Sequence, residues 1–249
     1  MYYLYEITDF LDEYLQINKF RDLSSNGLQI EGKGSVETVG FTVDACMESF
    51  LKAKELGVDL LIVHHGLIWG GLKFLKGIAR KRIKFLLENE ISLYTAHLPL
   101  DAHDEVGNNI QIMKLLSGSS EGFFAEHEGI KIGVFGEIEK MEVSELKKRV
   151  DSVLNTTSRV LNFGRNEIEK ISIISGSGSF AIEEASQISD CLITGEYRHE
   201  AYHVAKELEF NVIFAGHYET ETVGLKALME KLNERFDVRT IFIDVPTNF

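Results

Sequence analysis

Short apolar segments alternate with longer amphipathic ones along most of this 249-residue chain, and this alternation constrains the fold more than any other feature. Residues 58–63 end in the unbroken apolar run Leu-Leu-Ile-Val, which is typical of a strand buried on both faces. Residues 77–89 follow a helical period instead, with a basic outer face. Strands that alternate with helices of about ten residues form βαβ units, so we expect an α/β fold with mainly parallel sheets. The predicted strands are 38–43, 58–63, 91–96, 130–135, 170–175, 190–194, 211–215 and 238–244, and the predicted helices are 8–17, 45–56, 77–89, 143–154, 180–188, 197–208 and 220–233.

Glycine marks the breaks in this pattern, because proline occurs only at positions 99 and 246. The Ser-Gly-Ser-Ser-Glu-Gly segment at 117–122 is the best candidate for a domain boundary. We therefore predict two related α/β lobes, residues 1–118 and residues 119–249, although they share no convincing sequence repeat.

Two local predictions depend on single residues. Asp44 follows a β-rich run and is suited to be the N-cap of the next helix. Pro99 fixes its own φ angle and favours an extended conformation for Leu98, so the segment after His97 is predicted to be a stiff, non-helical loop.

Composition narrows the classes of protein that the chain can be. Acidic residues exceed basic ones by 39 to 26, and the formal net charge of −13 disfavours non-specific binding to a nucleic acid backbone. With two cysteines there is no disulfide framework and no CxxC zinc motif. Neither a signal peptide nor an apolar run of about 20 residues is visible, so we expect a cytoplasmic protein without a membrane partner.

Histidines cluster at one kind of position. Four of the eight histidines lie within two residues of the end of a predicted strand: His64 and His65 after the strand 58–63, His97 after 91–96, and His217 after 211–215. Ligands of open α/β sheets bind beyond the carboxyl ends of the strands. Each single histidine is most simply a loop residue, but the joint pattern predicts a metal site at these strand ends.

Carboxylates accompany two of these strand ends. Asp101 lies four residues after His97, and Glu221 lies four residues after His217 at the start of a predicted helix, where this spacing places both side chains on one face. Imidazole and carboxylate together suit Zn, Fe, Mn or Co, and four histidines with two carboxylates suit two divalent cations. Paired cations of this kind activate water in hydrolases.

Four ordered segments resemble the signatures of the Nif-three-like dinuclear metal centre proteins, many of which are known as GTP cyclohydrolase 1 type 2 homologues. They are Val63-His-His-Gly-Leu-Ile-Trp69, Thr95-Ala-His-Leu-Pro-Leu-Asp101 with Gly107-Asn-Asn109, Ile193-Thr-Gly-Glu196, and Gly216-His-Tyr-Glu-Thr-Glu221. The resemblance spans nearly the whole chain, with one departure at Gly66, where the family commonly has proline.

The resemblance implies a ligand set and an assembly. The implied metal ligands are His64, His65, His97, Asp101, His217 and Glu221, with the first four in the first lobe, the last two in the second, and the site in the cleft between the lobes. It also implies a toroidal homohexamer with the metals facing an internal cavity.

The function that we favour from these observations is dinuclear metal-dependent hydrolysis. The family implies GTP as substrate, with metal-activated water attacking C8 of guanine, followed by ring opening and loss of formate. Glu196 and His199, which follow the strand 190–194, are candidates for proton transfer. Two alternatives remain open: hydrolysis of another nucleotide or phosphoester, and a non-enzymatic metal-binding ring protein that interacts with a partner such as nucleic acid.

Three further segments have a structural and a functional interpretation. The Ser-Gly-Ser-Gly-Ser turn at 175–179 is either a tight strand-to-helix connection or a phosphate cradle. His199 and His203 have the spacing of a metal pair, but no carboxylate completes it, and His203 is interpreted as a helix-surface residue. The basic run Lys73, Lys76, Arg80, Lys81, Arg82 and Lys84 is either a solvated helix face or a surface for an anionic partner.

Overall fold

A computed structural model describes residues 1–72 and 74–247 and divides the chain into two compact units. The first unit comprises residues 1–100 together with 225–245, and the second comprises residues 101–224 together with Pro246 and Thr247.

In chain order the elements are β1 (Tyr2–Tyr3), α1 (Leu4–Tyr14), β2 (Gly27–Ile30), β3 (Ser35–Val36), β4 (Thr38–Asp44), α2 (Met47–Glu55), β5 (Leu60–His65), α3 (Gly77–Glu88), β6 (Ser92–Thr95), α4 (Leu98–Asp101), α5 (Asn108–Leu115), β7 (Ser119–His127), β8 (Ile130–Glu142), α6 (Val143–Leu154), β9 (Arg159–Asn162), β10 (Glu167–Ile174), α7 (Ile182–Ile188), β11 (Cys191–Thr194), α8 (His199–Glu207), β12 (Asn211–Phe214), α9 (His217–Arg235) and β13 (Arg239–Phe242). Short 3₁₀ turns lie at Ile17–Lys19 and Ser179–Ala181.

The sheet of the first unit has the order β13-β4-β5-β6-β2, and a separate two-stranded sheet pairs β1 with β3. The pairs β13–β4, β4–β5 and β5–β6 are parallel, and β2 closes the edge in the antiparallel direction. Strand β5 is buried on both faces, as its unbroken apolar run predicts, and Leu61 and Val63 pack in one core cluster with Phe50 of α2 and Leu86 of α3.

The sheet of the second unit has the order β7-β8-β10-β11-β12-β9. Its centre, β10-β11-β12, is parallel, whereas β7, β8 and β9 join antiparallel. Helices α5 and α6 cover one core cluster of this unit, which includes Met113, Leu146, Ile171 and Ile193. The α/β class predicted from the alternation is confirmed, with a mixed sheet in this unit.

The division into units differs from the predicted boundary at residue 118. Residues 119–122, in the segment predicted as the boundary, form the start of strand β7. The strand predicted at 238–244 was assigned to the second lobe, yet β13 pairs with β4 in the first sheet, with Arg239 opposite Thr38. Residues 101–118, assigned to the first lobe, belong to the second unit. Spacing along a chain predicts a strand but not the sheet that it joins, because pairing depends on long-range contacts.

Two local predictions were wrong. Asp44 is not an N-cap but the last residue of β4, and Cys46 caps α2 through a capping box with Ser49. Pro99 does not prevent a helix: it is the second residue of the short helix α4, and a first helical turn tolerates proline because its N–H would have no partner within the helix.

No helix among residues 1–72 and 74–247 is both long enough and apolar enough to span a bilayer.

Candidate metal centre

Three histidines of the first unit form a cluster, here called the histidine cluster: His64, His65 and His97. The first two are the last residues of β5, and His97 lies just beyond β6. These strands are parallel neighbours, so their carboxyl ends lie at the same edge of the sheet. One donor atom from each residue lies within 4.8 Å of those of the other two. The prediction that these strand ends meet is therefore realised within the unit.

Every ring of the histidine cluster is held by an oxygen acceptor at its Nδ1 atom. His64 donates from Nδ1 to the backbone oxygen of Ala96 at 2.8 Å. The Nδ1 of His65 lies 2.9 Å from Oδ1 of Asp44, and the Nδ1 of His97 lies 2.9 and 3.0 Å from the two oxygens of Asp22.

This pattern fixes the tautomer of each ring. A carbonyl or an ionised carboxylate only accepts, so Nδ1 bears a proton, and in the neutral ring Nε2 then has the lone pair. Metal-bound histidines almost always hydrogen-bond to an oxygen through their second nitrogen in this way. Burial favours a higher pKa for Asp22, but hydrogen bonds from His97 and Asn26 outweigh it and lower the pKa of the carboxyl to about 2.

The loop after β5 is held tightly despite the glycine at position 66. Gln29 accepts hydrogen bonds from the backbone N–H groups of Leu67 and Ile68 at 2.7 and 3.1 Å. A Cβ atom at Gly66 would lie 2.3 Å from Oγ1 of Thr95, so this position accepts no side chain without a shift of its neighbours. The side-chain amide of Gln29 therefore holds this loop although residue 66 is a glycine.

Trp69 lies against the histidine cluster. Its indole N–H donates to the backbone oxygen of Gly66 at 2.9 Å, and its ring meets that of His97 edge to face, with centroids 5.0 Å apart. The side chain is 43% exposed, so part of the indole remains accessible to solvent.

His217 of the second unit is held between two carboxylates, and these three residues are here called the carboxylate cluster. Its Nδ1 lies 2.7 Å from Oε1 of Glu196, and its Nε2 lies 3.1 Å from Oε1 of Glu221. The predicted i, i+4 spacing is confirmed, because α9 begins at His217. Glu196 also accepts a hydrogen bond from the hydroxyl of Ser177 at 2.7 Å.

The charges of the carboxylate cluster support one another. Burial favours a lower pKa for His217, but hydrogen bonds and charge from Glu221 and Glu196 outweigh it and raise the pKa to about 9. Burial likewise favours a higher pKa for Glu196, and the hydrogen bonds from Ser177 and His217 reverse this and lower it. The cluster therefore stabilises positive charge, whether this is a proton or a metal ion.

Asp101 is buried in the second unit and is oriented by two donors. Its Oδ1 accepts from the side-chain amide of Asn108 at 2.9 Å and from the hydroxyl of Ser175 at 2.7 Å. Asn108 in turn accepts from the N–H of Gly224 at 2.8 Å, while the neighbouring Asn109 accepts from the N–H of Ser175 at 2.7 Å. The paired asparagines of the Gly-Asn-Asn segment are thus structural supports of a predicted ligand.

The structure favours the interpretation of the Ser-Gly-Ser-Gly-Ser turn at 175–179 as a tight strand-to-helix connection. Three of its five N–H groups donate to side chains of the protein: Ser175 to Asn109, Gly176 to Thr220 at 3.0 Å, and Gly178 to Thr194 at 2.9 Å. A Cβ atom at Gly176 would lie 2.3 Å from Oε1 of Glu221 and 3.2 Å from Nε2 of His217. The turn therefore packs against the carboxylate cluster, and its hydroxyls orient Asp101 and Glu196.

The structure separates the two residues predicted for proton transfer. Glu196 contacts His217, as described. His199 is the first residue of α8 and is exposed, and the ring contact described for it is with His203, at 6.2 Å between centroids. Its role toward a substrate stays a prediction.

The basic run lies on α3 and the loop before it. Arg80, Lys81 and Lys84 are exposed, and Lys84 pairs with Glu88 at 3.3 Å. Lys73 lies outside the described residues. The opposite face of α3 buries Ile83 and Leu86, so the helix has the amphipathic form that was predicted.

Sequence reasoning missed the acceptors that hold the rings. Asp22 precedes His97 by 75 residues, and no motif links the two. Asp44 was singled out for a different role. Only the positions of these residues in the folded chain reveal what they do.

The donor set of the described residues fits divalent cations. Zn, Fe, Mn and Co accept the ligand types that are present here: three imidazoles held at Nδ1, one imidazole between two carboxylates, and one buried, oriented aspartate. Two cysteines occur, and Cys191 is buried within β11, where burial and the nearby charge of Asp190 raise the pKa of its thiol. The chemistry is therefore that of an imidazole–carboxylate site.

Comparisons with known proteins identify relatives of this chain. The sequence matches the Duf34/NIF3 (NGG1p interacting factor 3) family over residues 2–248. A protein of Pyrococcus abyssi (strain GE5 / Orsay), named GTP cyclohydrolase 1 type 2 homolog, is 51% identical over 249 residues, which cover 97% of this chain and 98% of the relative. A protein of Archaeoglobus fulgidus with the same name is 47% identical over 247 residues, with 98% and 99% covered. The solved structure of a protein from Thermus thermophilus has a TM-score of 0.92 at 38% identity and 100% coverage of both chains.

Proposed function

The chain belongs to the Duf34/NIF3 family, and we propose from this and from its two clusters of donors that it is a metal-dependent hydrolase that holds two divalent cations. The ligands that we assign to the cations are His64, His65, His97, Asp101, His217 and Glu221. The observation on which this depends most is that each of the four histidines has its Nδ1 within 3.0 Å of an oxygen acceptor, which leaves Nε2 as ligand atom.

The residues around the ligands have distinct tasks in this proposal. Asp22 and Asp44 hold the rings of His97 and His65, and Glu196 holds that of His217. Ser175 and Asn108 both donate hydrogen bonds to Oδ1 of Asp101, and these two contacts fix the orientation of the carboxylate and of its Oδ2 atom. When bound, paired divalent cations supply Lewis acidity and lower the pKa of water toward about 7.

We propose GTP as the substrate, because the relatives that match nearly the whole chain have the name GTP cyclohydrolase 1 type 2 homolog. In this reaction water adds to C8 of guanine, the C8–N9 bond breaks, and hydrolysis of the resulting formamide releases formate. Glu196 is the residue best placed to exchange a proton, since it bonds both to His217 and to the hydroxyl of Ser177.

Elemental analysis of the anaerobically purified protein, followed by an assay of formate released from GTP with that metal restored, tests both parts. We expect about two ions per chain and formate production that a chelator abolishes. His97→Ala should lose metal and turnover together, whereas His127→Ala, which removes an exposed histidine at the end of β7, should change neither.

A metal-loaded protein that releases no formate from GTP but cleaves another nucleotide or a phosphoester would keep the hydrolase and replace the substrate. Turnover that survives complete metal removal would refute the mechanism. The homohexamer and the nucleic-acid alternative stay predictions; measured mass in solution tests the first, and salt-dependent DNA binding with Lys81 and Arg82 neutralised tests the second.

A further inference from the structure

A second feature of the second unit lies beside the carboxylate cluster: a cavity of about 550 Å³, here called the Tyr197 pocket. It is lined by Asn155–Thr157, Arg159, Glu196, Tyr197, Phe214 and Glu219. Its size is within the range of pockets that bind small molecules. It opens beyond the carboxyl ends of β11 and β12, where α/β sheets bind their ligands.

One wall of the pocket is aromatic. The ring of Tyr197 meets that of Phe214 edge to face, with centroids 4.9 Å apart and an angle of 75°. Phe214 is buried in β12, whereas Tyr197 is 42% exposed. The buried ring thus holds the exposed one in place, which gives a flat heterocycle a preformed surface for stacking.

The same wall provides a positive charge. Arg159 pairs with Phe214 across β9 and β12, and its guanidinium carbon lies 5.9 Å from the centre of the Tyr197 ring. A guanidinium in this position suits a phosphate or carboxylate, which it can bind with two parallel hydrogen bonds.

Two carboxylates, Glu196 and Glu219, also line the pocket, and they differ in their surroundings. Glu196 is engaged by His217 and Ser177. Glu219 lies in the first turn of α9, and a Cβ atom at Gly216 would be 2.0 Å from its Oε2. The absence of a side chain at Gly216, whose φ is +92°, therefore leaves the space that the Glu219 carboxylate takes up.

We propose that the Tyr197 pocket binds a planar heterocycle that bears two adjacent N–H donors and an anionic substituent, as a guanine nucleotide does. The heterocycle stacks on Tyr197, its two N–H groups donate to the carboxylate of Glu219, and its anionic group pairs with Arg159. This inference rests on the proposed function in one respect: it places the ligand beside Glu196, the residue proposed to exchange a proton. Binding of the ligand itself requires no metal.

The test is nucleotide binding by the full chain in the presence of a chelator, measured by calorimetry with GMP, AMP and guanosine. We expect GMP to bind at least about tenfold more tightly than AMP, because adenine presents no second N–H beside its ring nitrogen to a carboxylate. Glu219→Gln should weaken GMP about tenfold and reduce the preference over AMP. Arg159→Gln should weaken GMP but leave guanosine unchanged.

Tyr197→Ala should weaken all three ligands, and Tyr197→Phe should restore binding because it keeps the ring. Glu200→Gln, an exposed residue on α8, is the matched control and should bind GMP normally. Equal affinity for GMP and AMP, no binding of GMP, or GMP binding unchanged by both Glu219→Gln and Arg159→Gln would each overturn the pocket. If the binding results are as expected but the metal-loaded protein shows no turnover, the proposed hydrolase function is refuted and the nucleotide pocket remains supported.

Discussion

The parallel strands of the two units are held in the same way at their amino ends but carry different residues at their carboxyl ends. In the first unit, Asp59 directly precedes β5 and accepts hydrogen bonds from the N–H groups of Glu37 and Thr38, at 2.8 and 3.0 Å, with Lys33 as its ion-pair partner. Its own N–H donates to the oxygen of Thr38 at 2.9 Å.

Asp190 repeats this arrangement in the second unit. It directly precedes β11 and accepts from the N–H groups of Glu169 and Lys170, at 3.0 and 2.9 Å, with Arg165 as its ion-pair partner. Its N–H donates to the oxygen of Lys170 at 2.9 Å. Burial favours a higher pKa for this carboxyl, but Arg165 and the two N–H groups outweigh it and lower the pKa.

The opposite edges of the same strands differ. Strand β5 ends in two histidines and β6 is followed by a third, whereas β11 is followed by Gly195 and Glu196, and β12 by Gly216 and His217. The amino ends of β5 and β11 are therefore held in the same way, whereas the residues at the carboxyl ends of the strands differ between the two units.

We expect the strongest loss of stability when the aspartate before β5 or β11 is removed. Asp59→Ala and Asp190→Ala should each lower the free energy of unfolding by about 3 kcal/mol, because two backbone N–H groups lose a charged acceptor at a partly buried site. Urea unfolding of the metal-free protein measures this. Asp104→Ala, an exposed side chain in a loop, should cost less than about 0.5 kcal/mol. Losses that differ strongly between the two aspartates would show that the devices are not equivalent.

The next effect concerns the edges that differ. Asp22→Asn and Glu196→Gln keep the shape of the side chains but remove the charge that holds His97 and His217, so metal affinity should fall about 10- to 100-fold. Competition with a metal-sensitive chelator dye gives the affinity, and Glu200→Gln serves as the exposed control. Retention of full affinity in both variants would mean that these contacts do not orient ligands.

The weakest effect concerns two glycines, and it distinguishes steric crowding by an added Cβ atom from backbone strain at a positive φ angle. Gly176 and Gly129 both have positive φ angles, +58° and +86°, but only a Cβ at Gly176 meets the carboxylate cluster, and nothing lies within 4 Å at Gly129. Alanine at either position should cost about 1 kcal/mol of unfolding free energy. Gly176→Ala should in addition weaken metal binding about tenfold, because Glu221 must move.

If both glycine variants lose metal equally, the effect belongs to strain in the whole unit and not to contact with Glu221. If neither does, the turn at 175–179 has no part in positioning the cluster.

Part of the site could be predicted from the sequence, because the residues that follow a strand are its direct neighbours in the chain. The apolar run before His64 and His65, and the i, i+4 spacing of His217 and Glu221, are visible in the sequence and both hold in the structure. The prediction at Pro99 was wrong because proline disrupts the interior of a helix but is accepted in its first turn, where Pro99 lies.

The alternation of strands and helices and the imidazoles at strand ends can be read from the sequence alone, since periodicity and adjacency are properties of neighbouring residues. The sequence did not reveal that β13 joins the first sheet, that Asp22 holds a ring 75 residues away, or that Glu219 and Tyr197 line the same pocket. Such pairings depend on the course of the whole chain in space, because a hydrogen bond or a stacked ring is set by distance and direction and leaves no period in the sequence.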